Sequence, residues 1–412
     1  MKQGFQLNIR IIILFIIGTF STGAQGFASE NQRDFSAWLA GVKHEAAERG
    51  ISAVTIEQSL TNLELLPKVV KLDQRQPEYS QVFSYYLSRA VTAERIKDGQ
   101  NMMRRYSKLL AQLERQYGVP SRFLVALWGL ETNYGRLKGN FSVISSLASL
   151  SFEGRRESLF RRELFDALAI LDRGDIKFNS MKGSWAGAMG HMQFMPSTYL
   201  DYAVDQDGDG RIDLFNSVPD ALGSAGNYLR EIGWKIGYNW GREVRLPRDF
   251  DIDLASVSAS AKENKMALRE WANLGVMRAD GVVLPHSDIT AALVLPEGSE
   301  GAAFLVYDNY NVILDWNYSV FYALSIGHLA DRLIGLSDLV AQPRNEQPLS
   351  RPEIIGLQSN LINLGYLEGK ADGILGSKTR KAIKKFQRSN SLIADGYADR
   401  AIILAVTKSL QK

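Results

Sequence analysis

At 412 residues, of which 45% are hydrophobic and 23% charged, the chain is long enough for one large or two to three ordinary domains. A formal net charge of +3 is too small to steer it strongly toward nucleic acid or an anionic membrane surface. Cysteine is absent, which excludes disulfides, zinc-thiolate sites, a thiol nucleophile and lipid attachment through an N-terminal cysteine.

In chain order, Lys2 and Arg10 precede the apolar run IIILFIIGTF, and small residues follow. Spanning a bilayer takes about 20 apolar residues, so residues 1–28 read as a secretory signal cleaved after Ala28 or Ala24. The alternative is a retained N-terminal anchor. Both place the bulk of the protein outside the cytoplasm, and cleavage leaves no transmembrane segment.

From residue 31 to about 130, apolar positions recur at intervals of three and four, as in FSAWLAGVKHEA and MMRRYSKLLAQLERQYGV, which predicts packing helices. The pattern continues to residue 173, where Gly174 stops the helix ending ALAILDRG. Residues 182–220 are rich in Gly, Ser, Asp and Met; they read as loops and short helices, the usual carriers of chemistry on a rigid scaffold. Helical pattern returns in PDALGSAGNYLREIGW. Residues 241–311 mix short elements, including the strand-like runs REVRL, AALVL and AAFLVY, and a last helix of this part covers about Ser319 to Leu336.

The proline-rich segment 337–352 reads as a linker. In residues 353–412 two amphipathic helices are expected, with Ile355, Leu357, Leu361 and Leu364 apolar in the first and Ala382, Ile383 and Phe386 in the second. A turn region separates them, and a third short helix follows Asp399. Lys378, Lys381, Lys384 and Lys385 read as a solvated face. The expected fold is therefore mainly α with small β elements, ending in a small three-helix domain.

Glu131 ends the apolar stretch FLVALWGLE and is followed by TNYG, where Gly135 suggests a helix end. A carboxylate beside Leu127, Trp128 and Leu130 would be partly desolvated, which favours its protonated form. Cleavage of a glycosidic bond needs such a group, because the leaving oxygen must receive a proton as the anomeric carbon gains oxocarbenium character. A glutamate at a helix end is also a common solvated or capping residue, and context has to single this one out.

That context is GLETNYG at 129–135 together with KGSWAGAMGHMQFMPSTY at 182–199, which closely resemble the membrane-bound lytic transglycosylase B family. QPEYSQVFSYYLSRAV, SLASLSF and DWNYSVFYALSIGHLADR extend the resemblance over residues 31–336. It implies a lysozyme-like catalytic domain that cuts the β-1,4 bond between N-acetylmuramic acid and N-acetylglucosamine in peptidoglycan. Glu131 would be the single acid/base, the product a 1,6-anhydromuramoyl end, the setting the periplasm, and no cofactor would enter the chemistry. The resemblance further implies Ser184 as a partner of Glu131 or of the N-acetyl group. Gln193, Phe194, Tyr86, Tyr228, Trp316, Asn317 and Tyr322 would bind substrate, Trp316 standing where a tyrosine is also common. Packing is an equally good reading of each aromatic taken alone.

DQDGDGRIDLFNSVPD places Asp205, Asp207 and Asp209 at loop positions one, three and five, with Gly210 at six and the Arg211 carbonyl at seven, a spacing that converges hard oxygen ligands on one cation. Position twelve is Asn216 in place of a bidentate glutamate, and Asp220 is the candidate replacement. A plain Asp-Gly turn is the alternative; the resemblance implies a structural calcium ion. Residues 353–407, with LGYL, DGILGSKT and KKFQ in order, resemble a peptidoglycan-binding module, which makes glycan strands the expected partner. Two other functions stay open on sequence: a hydrolytic muramidase with a second carboxylate, for which Glu153 and Glu157 are the nearest following acids, and a non-catalytic wall-binding scaffold.

Overall fold

The computed structural model describes residues 27–74, 81–344 and 346–411; the expected secretory signal, apart from Phe27 and Ala28, lies outside them. Among the described residues there are seventeen α-helices, a two-stranded sheet and a five-stranded sheet, and no helix is long and apolar enough to cross a membrane. The fold is mainly α, as the periodicity predicts. The chain divides into two compact units, Met1–Gln76 with Asn101–Glu231, and Pro77–Gln100 with Ile232–Lys412.

The first unit is built around the helix Ser121–Thr132, in which every residue from Phe123 to Gly129 is buried. A helix that is apolar on all sides can satisfy that pattern only inside a core, and Glu131 lies in its last turn, where the chain leaves that core. The helices Ser107–Tyr117 and Val218–Glu231 pack on it, and the helices Val143–Glu153 and Glu157–Asp172 pack on each other. Gly154, at φ 88°, supplies the left-handed residue that ends the first of that pair, a conformation that favours glycine. Strands β1 (Phe141–Ser142) and β2 (Lys182–Gly183) pair antiparallel, Phe141 opposite Gly183.

The second unit carries β3 (Gly241–Arg245), β4 (Met266–Ala267), β5 (Met277–Arg278), β6 (Thr290–Val294) and β7 (Ala303–Val306), ordered β4-β6-β7-β3-β5 with every pair antiparallel. Leu268, Trp271, Leu293 and Leu305 are among its core residues, and the Trp271 indole donates to the Ala291 carbonyl at 3.0 Å. The three strand-like runs of the sequence fall on β3, β6 and β7. Ser319 caps the helix Val320–Leu333 by accepting from the Tyr322 amide, an N-terminal hydroxyl cap of the usual kind.

The C-terminal helices Arg351–Asn363, Ser377–Ser389 and Arg400–Ser409 enclose a core of Ile354, Leu357, Leu361, Ile383, Phe386 and Val406. A Ser350–Glu353 capping box starts the first helix. One hook is used twice. Buried Gln358 donates to Asp372 and accepts from the Gly373 amide, and buried Gln387 does the same with Asp395 and Gly396.

The lysine face departs from the sequence expectation. Lys384 is only 7% exposed and donates to the carbonyls of Asp253 and Ala255 at 3.0 and 2.9 Å; Lys381 pairs with Glu263 at 2.6 Å. Lys378 and Lys385 are exposed, as expected. The Asp395 carboxylate also accepts from the Ser299 amide. The segment before the module is pinned as well: Glu243 accepts from the Val340 and Ala341 amides at 2.8 and 2.7 Å, and Arg344 donates to the Glu297 carbonyl at 2.8 Å.

Candidate active site

The helix that carries Glu131 ends by strain. Asn133 and Tyr134 both have positive φ, 47° and 61°, and Gly135 follows at 83°. Asparagine tolerates the left-handed region, whereas tyrosine does so only when its surroundings hold it. Here Tyr134 is buried, edge-on to Trp128 with centroids 5.7 Å apart. Its ring fills the space that a side chain at Gly129 would need, since a Cβ there would lie 2.7 Å from it. A Cβ on Gly135 would likewise fall 2.2 Å from the imidazole of His191. The glycines of GLETNYG are therefore the consequence of two rings packed against the backbone on either side of Glu131.

His191 joins this turn to the second motif. Its Nδ1 accepts from Trp128 Nε1 at 3.0 Å, which places the ring proton of the neutral form on Nε2. Its carbonyl accepts from the Thr132 hydroxyl at 2.7 Å, and that hydroxyl accepts from the Gly135 amide at 2.9 Å. Burial, followed by the nearby Lys138 charge, holds the His191 pKa down to about 4, so the ring is a neutral structural acceptor at physiological pH. Sequence reading passed over His191 although it stands within the quoted motif. A histidine among glycines was the available signal.

Glu131 itself is half-buried. Ser184 is 5% exposed, and its Oγ accepts from the Ala186 and Ala188 amides at 3.3 and 3.1 Å. With both acceptor positions taken, its hydroxyl hydrogen is left to donate. Gln193 has φ 49°. Its amide nitrogen donates to Lys138 O and Gly190 O at 3.1 and 3.0 Å, while its buried Oε1 has no hydrogen-bond partner among the described residues. Phe194 is 2% exposed and meets Tyr228 at 5.7 Å, which in turn lies 4.7 Å from Tyr202. Phe194 therefore packs beneath the loop, and Tyr228, half-buried, offers the larger open surface. Buried Glu163 closes the motif by accepting from the Ser197 amide and hydroxyl at 3.0 and 2.8 Å.

The acidic loop belongs to the same unit. Asp205, Asp207 and Asp209 bring carboxylate oxygens within 4.8 Å of one another, all exposed, around Gly208 and Gly210 at φ 75° and 88°. This donor set suits a hard cation. Asp220 does not join that cluster. It is buried, and its carboxylate accepts from the amides of Gln206 and Asp213, each at 2.8 Å, so it clasps the two arms of the loop from within. Next in the chain, Leu214 accepts from the His191 amide at 2.8 Å, which ties the loop to the motif.

The remaining residues implied by resemblance lie in the second unit. Tyr86 is half-buried and packs 6.0 Å from Phe321. Tyr322 is 4% exposed. Trp316 and Asn317 are half-buried, and Asn317 Oδ1 is a buried acceptor with no hydrogen-bond partner among the described residues.

Comparison with known proteins identifies the family of the chain. The transglycosylase SLT domain model matches residues 34–331, and a peptidoglycan binding domain model matches residues 350–405. Membrane-bound lytic murein transglycosylase B of Escherichia coli (strain K12) is 30% identical over 298 residues, 68% of this chain and 78% of its own length. Among solved structures, SltB3 from Pseudomonas aeruginosa in complex with NAG-anhNAM-pentapeptide is 41% identical with a TM-score of 0.86, covering 90% of this chain and 99% of that one. The Escherichia coli lytic transglycosylase Slt35 in complex with calcium is 27% identical with a TM-score of 0.60, covering 75% and 94%. The expected lysozyme-like catalytic fold and the peptidoglycan-binding helical domain are thus both present. The chain belongs to the transglycosylase SLT family and is a lytic transglycosylase that acts on peptidoglycan.

Proposed function

We propose that Glu131 is the acid/base of a water-free cleavage. In its protonated form it gives a proton to the oxygen linking N-acetylmuramic acid to N-acetylglucosamine. As that bond breaks, the muramoyl C6 hydroxyl attacks its own C1, and the Glu131 carboxylate takes the hydroxyl proton. Atoms balance without water, and the product ends in a 1,6-anhydromuramoyl ring. The observation that carries this reading is the strained, doubly packed turn at Asn133–Gly135, which fixes the last turn of the buried helix; strain of this kind is retained where function requires it. Ser184, with a hydroxyl hydrogen to donate, and Gln193, with an open Oε1 acceptor, supply the substrate hydrogen bonds. Tyr228, Tyr86, Trp316, Asn317 and Tyr322 are proposed glycan-binding residues, and Phe194 is proposed to support the loop. The ligand named for SltB3 holds both sugars and an anhydro ring, in keeping with this chemistry.

Asp205, Asp207 and Asp209, with the Arg211 carbonyl, are the proposed ligands of a structural calcium ion that would supply charge balance to the loop and take no part in the reaction. We further propose that residues 1–28 are a secretory signal, that residues 31–336 are the catalytic part, that 337–352 connect it to a wall-binding part at 353–412, and that the enzyme works in the periplasm. The direct test is Glu131→Gln on purified sacculi. Muropeptide release should fall by at least about 10²-fold, the scale of a lost general acid, while sedimentation with sacculi is retained; release near the wild-type rate would refute the assignment.

A further inference from the structure

The first unit holds a cleft of about 750 Å³ that shares no residue with the candidate active site. Its rim is assembled from the helix Ala53–Leu60, the turn after it, the start of the helix Val143–Glu153 and the segment Gly174–Ser180. Gln58, Asn62 and Asn179 are exposed, and their amides have no hydrogen-bond partner among the described residues. The half-buried ring of Phe178 and the exposed ammonium group of Lys177 complete the set.

The chemistry of this lining selects a ligand class. No lining residue is acidic, so the cleft is not built for a cation. A single lysine is too little positive charge for a polyanion, whose binding rests on many phosphate contacts. Leu63, Leu171, Ile176 and Phe178 share the wall about equally with hydroxyls and amides, which suits an amphipathic ligand better than a purely hydrophobic one. What remains is a neutral, hydroxyl- and amide-bearing chain with at most an isolated carboxylate. Side-chain amides match vicinal hydroxyls and N-acetyl groups in both donor and acceptor sense, and an aromatic ring matches the C–H face of a pyranose. The volume falls within the ordinary range for a ligand site, about 300–1,000 Å³. The short turn that carries Phe178 and Asn179 leads directly into β2 and Ser184.

We infer that this cleft is an accessory glycan-strand subsite, with Gln58, Asn62 and Asn179 holding sugar hydroxyl and N-acetyl groups, Phe178 under one ring, and Lys177 meeting a stem or lactyl carboxylate. The inference rests on the reading of peptidoglycan as substrate and does not require Glu131 to be the acid. It is tested on the full chain by hydrogen exchange with tetra-N-acetylchitotetraose as the probe, in wild type, in Glu131→Gln and in the double variant Asn62→Ala/Asn179→Ala. The probe should slow exchange in residues 55–62 and 174–180 of the first two proteins and not in the third. Both substituted side chains are exposed, so an unchanged melting temperature is the folding control. On long glycan strands the double variant should raise KM about tenfold, the worth of one to two net hydrogen bonds, with kcat unchanged and turnover of a muropeptide tetrasaccharide unchanged. Absence of protection in those segments, or protection with an unaltered KM on long strands, would overturn the subsite. Loss of cleavage in Glu131→Gln leaves the exchange result intact, so the two readings fail separately.

Discussion

His191 shows what one residue does for the site and how it can be isolated. Unfolded, a histidine binds a proton below about pH 6.5; in the fold, burial delays that to about 4. The stability that the neutral ring lends is therefore complete above pH 6.5 and is lost as pH falls from there to 4, up to about 3 kcal/mol if the whole shift is realised. Burial raises the carboxyl pKa of Glu163 and Asp166, which acts with the opposite sign, so the comparison must be made between variants. His191→Gln should show a shallower fall in melting temperature between pH 6.5 and 4 than wild type, and parallel curves would contradict the role. The residue was within reach of the sequence, but its partner was not: Trp128 and His191 lie 63 positions apart, and only the fold brings their ring nitrogens together. Glu131 stood out only through its context, GLETNYG together with the 182–199 motif, because a carboxylate at a helix end is by itself a common capping residue. Phe194 was ambiguous because a phenylalanine that supports a loop and one that lines a groove have the same sequence signature.

At the scale of elements, the turn after Glu131 and the acidic loop each make a checkable statement. Gly135→Ala would force a Cβ to within 2.2 Å of the His191 ring at a backbone φ of 83°. It should cost at least about 2 kcal/mol, combining backbone strain with overpacking, visible in denaturant unfolding; a neutral substitution would show that the turn is slack. For the loop, millimolar calcium should raise the wild-type melting temperature, since a ligand that binds only the native state stabilises it, and should leave Asp205→Asn/Asp209→Asn unmoved. Equal responses would remove the metal proposal. The loop spacing of one, three and five was readable directly. The role of Asp220 was not, because an acid four residues past a ligand position can coordinate an ion or accept loop amides; in the structure it is buried and accepts the amides of Gln206 and Asp213.

For the whole molecule, helix and strand periods gave the mainly α architecture and the three principal strands, whereas docking of the terminal module left no local trace. A lysine every three or four residues reads as solvent-facing, and Lys384 becomes a buried donor only because the carbonyls of Asp253 and Ala255, about 130 positions away, close over it. Lys384→Met would leave both carbonyls without this donor and should destabilise the second unit by about 1–3 kcal/mol; an unchanged unfolding midpoint would mean that the module contributes no support there. The chemistry remains the central claim, and it is tested most directly by digesting sacculi in H2(18)O and weighing the released muropeptides. Products should be one water lighter than hydrolysed ends, free of the heavy isotope, and absent with Glu131→Gln. Reducing ends that carry the label, or light products still formed by Glu131→Gln, would contradict it.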